Sequence, residues 1–202
     1  MRTLAIETAG TACSIALLHD GTVIAERHEP VGRGHAERLI PWIAMLPDGG
    51  RADRIIVGCG PGSFTGIRIG IAAARGLGLG WGVPVNGVCS LALAAAGCDA
   101  LQFVIAVEGG HGELLVQRFN ASPLRANGNY MSLSPEDAAD HMREEFVAGI
   151  GAPRLIAARN YGVAIAAEAC AAHVALLPDE FVALPPQPRY ARAPDAKPMA
   201  AP

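Results

Sequence analysis

The chain has 202 residues, a formal net charge of −3, 51% hydrophobic residues and 17% charged residues. That balance suits a well-buried globular fold and excludes a disordered chain. The slight acidic excess excludes the broad positive field of an autonomous nucleic-acid binder.

The N-terminus runs directly into "RTLAIETAG", with no basic region ahead of a long apolar core, so no signal peptide is expected. "TLAIET" (Thr3–Thr8) and "CSIALLHD" (Cys13–Asp20) read as strands joined by a tight turn. Asp20-Gly21 is a hairpin signal, and "TVIAERHE" (Thr22–Glu29) follows as a third antiparallel strand. In "GHAERLIPWIAMLP", Ala36, Leu39, Ile40, Ile43 and Leu46 recur at helical spacing. Trp42 and Met45 make a second face apolar, and the interior Pro41 is expected to kink the helix or weaken its first turns.

"RIIVGCG" (Arg54–Gly60) is a short buried strand, expected parallel to the first. "GPGSFTGIRIG" then opens a helix reaching Gly80, with Ser63 as its N-cap. "VPVNGV" (Val83–Val88) is a strand, and "SLALAAAG" (Ser90–Gly97) a helix closed by Gly97. The apolar stretch from Ile67 to Val85 carries Arg68, Arg75 and five glycines, so it is not read as a membrane span.

A second set of elements starts with a hairpin of "LQFVIAVE" (Leu101–Glu108) and "GELLVQRF" (Gly112–Phe119). Ser134 as N-cap with Pro135 and Asp137 marks another helix start. "PRLIAA" reads as a short strand and "YGVAIAAEACAAH" as a helix. From Leu184 the chain is Pro-rich, with Pro185, Pro186, Pro188, Pro194, Pro198 and Pro202, and is expected to be extended and uncompacted. The order points to two related α/β lobes: 1–98, a smaller 99–184, and a tail at 185–202.

The glycine motif fails each catalytic template by a specific residue. A Walker A loop needs a lysine that "GPGSFTGI" lacks. A dinucleotide fingerprint needs glycine where Ser63 or Thr65 stands, and a nucleophile elbow needs a residue between Gly62 and Ser63 that is not there. As a helix it places Gly62, Gly66, Gly70, Ala74 and Gly78 every fourth residue. Interior glycines cost about 0.8–1 kcal/mol each relative to alanine, so close approach of another backbone must offset them. That backbone belongs either to the chain's own sheet or to a partner subunit. The five cysteines (13, 59, 89, 98, 170) are scattered and read as reduced thiols, not a zinc site or a disulfide framework.

"GPGSFTGIRIGIAAARGLGLG" closely resembles the signature of the TsaB (YeaZ) family of bacterial tRNA-modification factors. "RTLAIETAGTACSIAL", "RGHAERLIPWI", "PVNGVCSLALAAAG", "IAVEGGHGELLVQRF" and the terminal "PRYAR" (Pro188–Arg192) are similar to other family segments. The likeness is good over 1–119 and loose over 120–184, where this chain looks shortened. It implies an actin/sugar-kinase-like fold of two RNase H-like lobes, the second shortened. It also implies a non-catalytic, cytoplasmic subunit that works with the catalytic relative TsaD and the ATPase TsaE. These transfer a threonylcarbamoyl group to the adenosine beside the tRNA anticodon. tRNA is expected to be met only through the complex, no membrane is involved, and a homodimer is expected when the chain is alone.

In the catalytic relative, a His-x-x-x-His pair on the helix after the fifth strand binds metal. The matching positions here are Ser90 and Ala94, which cannot reproduce it. The resemblance therefore implies no catalytic residue, no metal and no cofactor in the isolated chain, with a nucleotide placed, if anywhere, at the complex interface. "ETAGTACS" stands where the superfamily has its first phosphate loop, with Glu7 in place of the usual aspartate. Glu7, Thr8, Gly10, Thr11 and Ser14 are either nucleotide contacts or parts of an ordinary hairpin. His35 matches a family position and reads as a cap or interface contact. The expected partner contacts are Ala36, Leu39, Trp42, Ile43, Phe64, Ile67, Gly70 and Ile71. Arg68 and Arg75 share one helix face, either solvated or meeting the partner or tRNA. The competing readings are an ATP-dependent phosphotransferase of the same superfold, and a metallopeptidase, which lacks any His-Glu-x-x-His here.

Overall fold

Strands β1 (Arg2–Glu7), β2 (Ala12–His19) and β3 (Thr22–Pro30) form the opening meander. Asp20 and Gly21 both take positive φ, 48° and 80°, as a two-residue turn matched to strand twist requires. The computed structural model describes residues 1–191. Two strands, β4 (Arg54–Gly58) and β5 (Val85–Val88), add in parallel on the far side of β1, giving the order β3-β2-β1-β4-β5.

Residues alternate across this sheet, and each face has its own cover. Leu4, Ile6, Ile15, Leu17, Ile55 and Val57 point to helices α1 (His35–Met45) and α2 (Phe64–Trp81), meeting Leu39, Trp42, Ile43, Ile67, Ile71 and Ala74. Ala5, Ala16, Leu18, Ile56 and Val88 point the other way, to Leu93, Ala171, Val174 and Val182. Burial on both faces explains why β1, β2 and β4 read as nearly continuous apolar runs. Helix α1 runs through Pro41 as one helix. Ser63 caps α2 by accepting the Gly66 N–H at 3.2 Å.

The second sheet repeats this plan. Strands β6 (Gln102–Gly110), β7 (Glu113–Asn120) and β8 (Arg125–Leu133) form a meander. Strands β9 (Phe146–Ala148) and β10 (Val163–Ile165) add in parallel beside β6, in the order β10-β9-β6-β7-β8. Helices α4 (Pro135–His141) and α5 (Ala152–Arg159) cover one face through Ala138, Met142, Ala152 and Leu155. The other face lies on α3 (Ser90–Ala96), the helix the two lobes share. Leu93 of α3 packs toward the first sheet, while Leu91, Ala92, Ala94 and Ala95 pack toward Phe103, Ile105 and Phe119 of the second. Every residue from Ser90 to Ala95 is buried, so α3 is apolar all round instead of amphipathic.

Three expectations need correction. "PRLIAA" is not a strand: with Pro153 in its first turn and Asn160 in the left-handed conformation after its last, it forms α5. "YGVAIAAEACAAH" is not a helix. Gly162 takes a φ of 111°, Val163 bonds back to the Glu145 carbonyl, and pairing with β9 overrides the alanine-rich propensity. The chain then returns to the first lobe as a 3₁₀ turn over Ala171–Leu176 and another over Asp179–Val182. The start of the Pro-rich tail is extended, as expected, but it is not loose. Leu184 bridges Gly87 of β5, and the Arg189 N–H donates to the Cys59 carbonyl at 2.8 Å. Arg192, Pro194, Pro198 and Pro202 lie outside the described residues.

Candidate functional site

Between the lobes lies a cleft of about 360 Å³, formed by the β1–β2 turn, the Pro61–Ser63 loop, α3 and the end of β6. The residue that organises its floor is Glu7, at the C-terminal end of β1 and only 1% exposed. One carboxylate oxygen accepts the Ala9 N–H, and the other accepts the Ser90 hydroxyl at 2.7 Å. Ser90 Oγ in turn accepts the Gly60 N–H at 3.2 Å. Burial pushes the Glu7 pKa up, and the bonds from Ser90, Ala9 and Thr8 with the charge of His28 pull it only partly back.

The signature glycines serve this floor. A Cβ on Gly66 would lie 2.0 Å from the Thr8 carbonyl oxygen, and one on Gly70 2.4 Å from the Thr8 hydroxyl. Thr8 Oγ1 donates to the Gly66 carbonyl at 2.8 Å, and the Ser63 N–H donates to the Ala9 carbonyl at 2.7 Å. The bare faces of Gly66, Gly70 and Gly78 thus let α2 press on its own lobe, with Val85 2.4 Å from a Cβ at Gly78. Gly76 and Gly80 differ: nothing lies within 4 Å of a Cβ at either.

Of the five residues expected to touch a nucleotide, Gly10 and Thr11 line the cleft. Glu7 and Thr8 are buried in the floor, and Ser14 is spent elsewhere, accepting the Ala171 N–H at 2.9 Å and donating to Cys170 Sγ. The charged residues on the cleft wall, among those described, are the carboxylates Glu108 and Glu168. Glu108 is paired with Arg154, and Glu168 with His28 at 3.0 Å. Ser90 and Ala94, where the resemblance places a histidine pair in the catalytic relative, both line the cleft. The described residues hold no group of three or more His, Cys, Asp or Glu side chains able to grip a metal ion.

The expected partner contacts need a larger correction. Leu39, Trp42, Ile43, Ile67, Gly70 and Ile71 are buried in the first lobe, so a second protein cannot reach them. The apolar stripe read along α1 did not separate core from surface: Ile40 within it is 48% exposed, while Trp42 outside it is buried. Trp42 sits under the Arg27 guanidinium, 4.2 Å from the ring centre. Only Ala36 and Phe64 of the eight are exposed. The outward face carries Ile40, Ala44 and Met45 on α1, and Ala72, Gly76, Leu79 and Gly80 on α2. Leu79 and Met45 are 87% and 73% exposed. His35 is a buried contact within the chain, with Nε2 3.3 Å from the Ala12 carbonyl oxygen. The Glu7–Ser90 bond and the docked tail had no sequence signal of their own, since each joins residues more than eighty positions apart.

Two five-stranded sheets of the same strand order, packed on a shared helix with a cleft between them, define the actin/sugar-kinase-like class of two-lobed α/β proteins. The ethanolamine utilization protein EutJ of Carboxydothermus hydrogenoformans shares this fold, with a TM-score of 0.50 over 86% of this chain and 89% of that one, at 11% identity. The model of the family described as TsaD, tRNA N6-adenosine threonylcarbamoyltransferase, matches residues 24–175. The chain belongs to this family and, within it, to the TsaB (YeaZ) proteins. It is 42% identical over 123 residues to the tRNA threonylcarbamoyladenosine biosynthesis protein TsaB of Escherichia coli, covering 56% of this chain and 53% of that protein. YeaZ from Pseudomonas aeruginosa superposes with a TM-score of 0.74 at 28% identity, over 87% of this chain and 89% of that one. The matched stretch spans about half the length of the curated relatives. No helix among the described residues is long and apolar enough to cross a membrane.

Proposed function

We propose that this protein is a non-catalytic subunit of the machinery that makes threonylcarbamoyladenosine in tRNA, acting by pairing with a TsaD catalytic subunit and serving the TsaE ATPase through that pair. The observation that carries this reading is the cleft wall. Ser90 spends its hydroxyl on Glu7, and Ala94 has no donor atom, so neither position offers a metal ligand. What the chain offers instead is an exposed apolar face on α1 and α2, where Gly76 and Gly80 leave room for a second helix pair. Ile40, Ala44, Met45, Ala72, Gly76, Leu79 and Gly80 are the contacts we assign to TsaD, in place of the buried set. The same face would serve a homodimer when TsaD is missing, and any nucleotide would sit at the joint between subunits, not in this chain's cleft.

The test is a reconstituted reaction of TsaD, TsaE, tRNA and the threonylcarbamoyl donor, with and without this protein, read by mass spectrometry of the modified nucleoside. Product should require this protein and should survive Ser90→Ala. Product formed equally well in its absence would sink the proposal. The phosphotransferase alternative predicts ATP turnover by the isolated chain that vanishes in Glu7→Gln. The spent Glu7 carboxylate and the acidic cleft wall favour no turnover.

A further inference from the structure

The segment from Leu184 to Tyr190 lies as a strap across the end of the first lobe. We propose that Tyr190, packed against Phe64 and Arg68, forms the aromatic, cationic end of the docking face and fits an acidic protein surface. This rests on the partner reading above and adds to it a contact surface that only the fold assembles.

The strap is built in, not laid on. Leu184 exchanges both backbone bonds with Gly87, at 2.6 and 3.1 Å. A Cβ on Gly87 would lie 2.7 Å from the Pro185 carbonyl oxygen, and one on Gly60 2.9 Å from that of Arg189. The tail thus closes over two glycines whose would-be Cβ atoms already meet Ile67 and Cys59, each at 2.5 Å. Two α2 arginines are also committed to it: Arg75 donates to the Pro186 carbonyl and Arg68 Nε to the Tyr190 hydroxyl, both at 2.8 Å.

The strap holds a specific cluster at the start of α2. The Phe64 and Tyr190 ring centres are 4.6 Å apart, and the Arg68 guanidinium lies 3.7 Å from the Phe64 centre. Phe64 stays 41% exposed with Tyr190 beside it. A fixed, half-exposed group of Phe, Tyr and Arg is the kind of anchor that dominates binding, because its side chains are ordered before the partner arrives.

Position and charge indicate the occupant. Arg68, Ala72, Arg75 and Leu79 follow one another at helical spacing, so the cluster continues the exposed α2 face. Arg68, Arg75 and Arg189 are exposed, and no carboxylate pairs with them among the described residues. A face of exposed apolar residues with Arg68 at one end and Arg75 among them fits a protein that sets carboxylates beside an apolar patch. A nucleic acid would leave the apolar length uncovered.

The experiment measures affinity for purified TsaD by calorimetry at low and high salt, for wild type, Tyr190→Ala, Tyr190→Phe and Gly76→Arg. Circular dichroism and melting report whether each variant is folded. Tyr190→Ala should weaken binding roughly tenfold or more while the protein stays folded. Tyr190→Phe should recover most of that loss, and wild-type binding should weaken with salt. If Gly76→Arg abolishes binding but Tyr190→Ala does not weaken it, the α1–α2 face stands and the strap inference falls. If both variants bind like wild type, the face itself is wrong and the inference goes with it. Unchanged TsaD binding by Tyr190→Ala with lost binding to tRNA alone would reassign the cluster to RNA and overturn the proposal.

Discussion

The carboxylate of Glu7 occupies the space that a side chain on Gly58 would need: a Cβ there would lie 2.0 Å from Glu7 Oε2. Strands β1 and β4 are parallel neighbours, and the acid at the end of one fits only because the other ends in glycine. Gly58→Ala must either expel the carboxylate from its bonds to Ala9 and Ser90 or spread the strands. Overpacking of this kind costs about 1–3 kcal/mol. Denaturant unfolding should show that loss for Gly58→Ala, and Gly58→Ala with Glu7→Ala should recover part of it, since the clash is then gone. Additive losses in the double variant would refute the coupling.

Glu7 also sets a pH dependence. Burial raises its pKa in the folded state above the ordinary value of 4.5. The folded chain then holds that proton at pH values where the unfolded chain has released it, so this group's contribution falls as pH rises from about 4.5 through the raised value. Compared with Glu7→Gln, which cannot ionise, wild type should lose relative stability across that window. A relative gain over the same range would mean the site favours the carboxylate.

Gly76 and Gly80 separate monomer stability from partnership. Each sits in α2 with open space around a would-be Cβ, and alanine favours a helix over glycine by about 0.8–1 kcal/mol. Gly76→Ala and Gly80→Ala should each raise the isolated protein's stability by about that amount. If these glycines exist to admit a second helix, the same changes should weaken TsaD binding. Stabilisation with unchanged binding would remove them from the interface.

Gly70→Leu should behave differently. Its side chain would run into the Thr8 hydroxyl and the β1 side of the core, so the variant should lose stability by more than about 3 kcal/mol and fail to accumulate folded. A stable, folded Gly70→Leu protein that merely fails to bind TsaD would restore the earlier assignment of Gly70 to the partner face.

The thiols of Cys13 and Cys59 are pushed up to about 11 by burial. At pH 8 their reaction with a thiol reagent should therefore wait for unfolding, with a rate that rises with added denaturant. Fast labelling of either residue in the native protein would contradict their burial.

Much of the fold was legible because local signals agreed. Asp20-Gly21 fixed the first hairpin, Ser63 and Ser134 capped helices, and continuous apolar runs marked the doubly covered strands. The second lobe was harder to read. Strand β8, "RANGNYMSL", is a largely exposed edge with no alternating pattern, and β9 and β10 are three residues each, too short to show a period. The site was legible in residue type but not in orientation. The spacing in α1 and α2 located apolar faces, yet Trp42 and Ile71 proved to face the core while Met45 and Leu79 face out.

The sequence by itself determined the family, the opening meander, the capped glycine helix and the lack of a histidine pair at Ser90 and Ala94. These are properties of short stretches, written in residue type and spacing. Only the tertiary structure decided what the glycines are for. Gly58 yields to Glu7, Gly66 and Gly70 to Thr8, and Gly60 and Gly87 to Ile67 and Cys59 together with the strap, while Gly76 and Gly80 face open space. A missing side chain is the same in every sequence position. Its meaning depends on which distant atoms come within van der Waals reach, and only the folded chain brings them there.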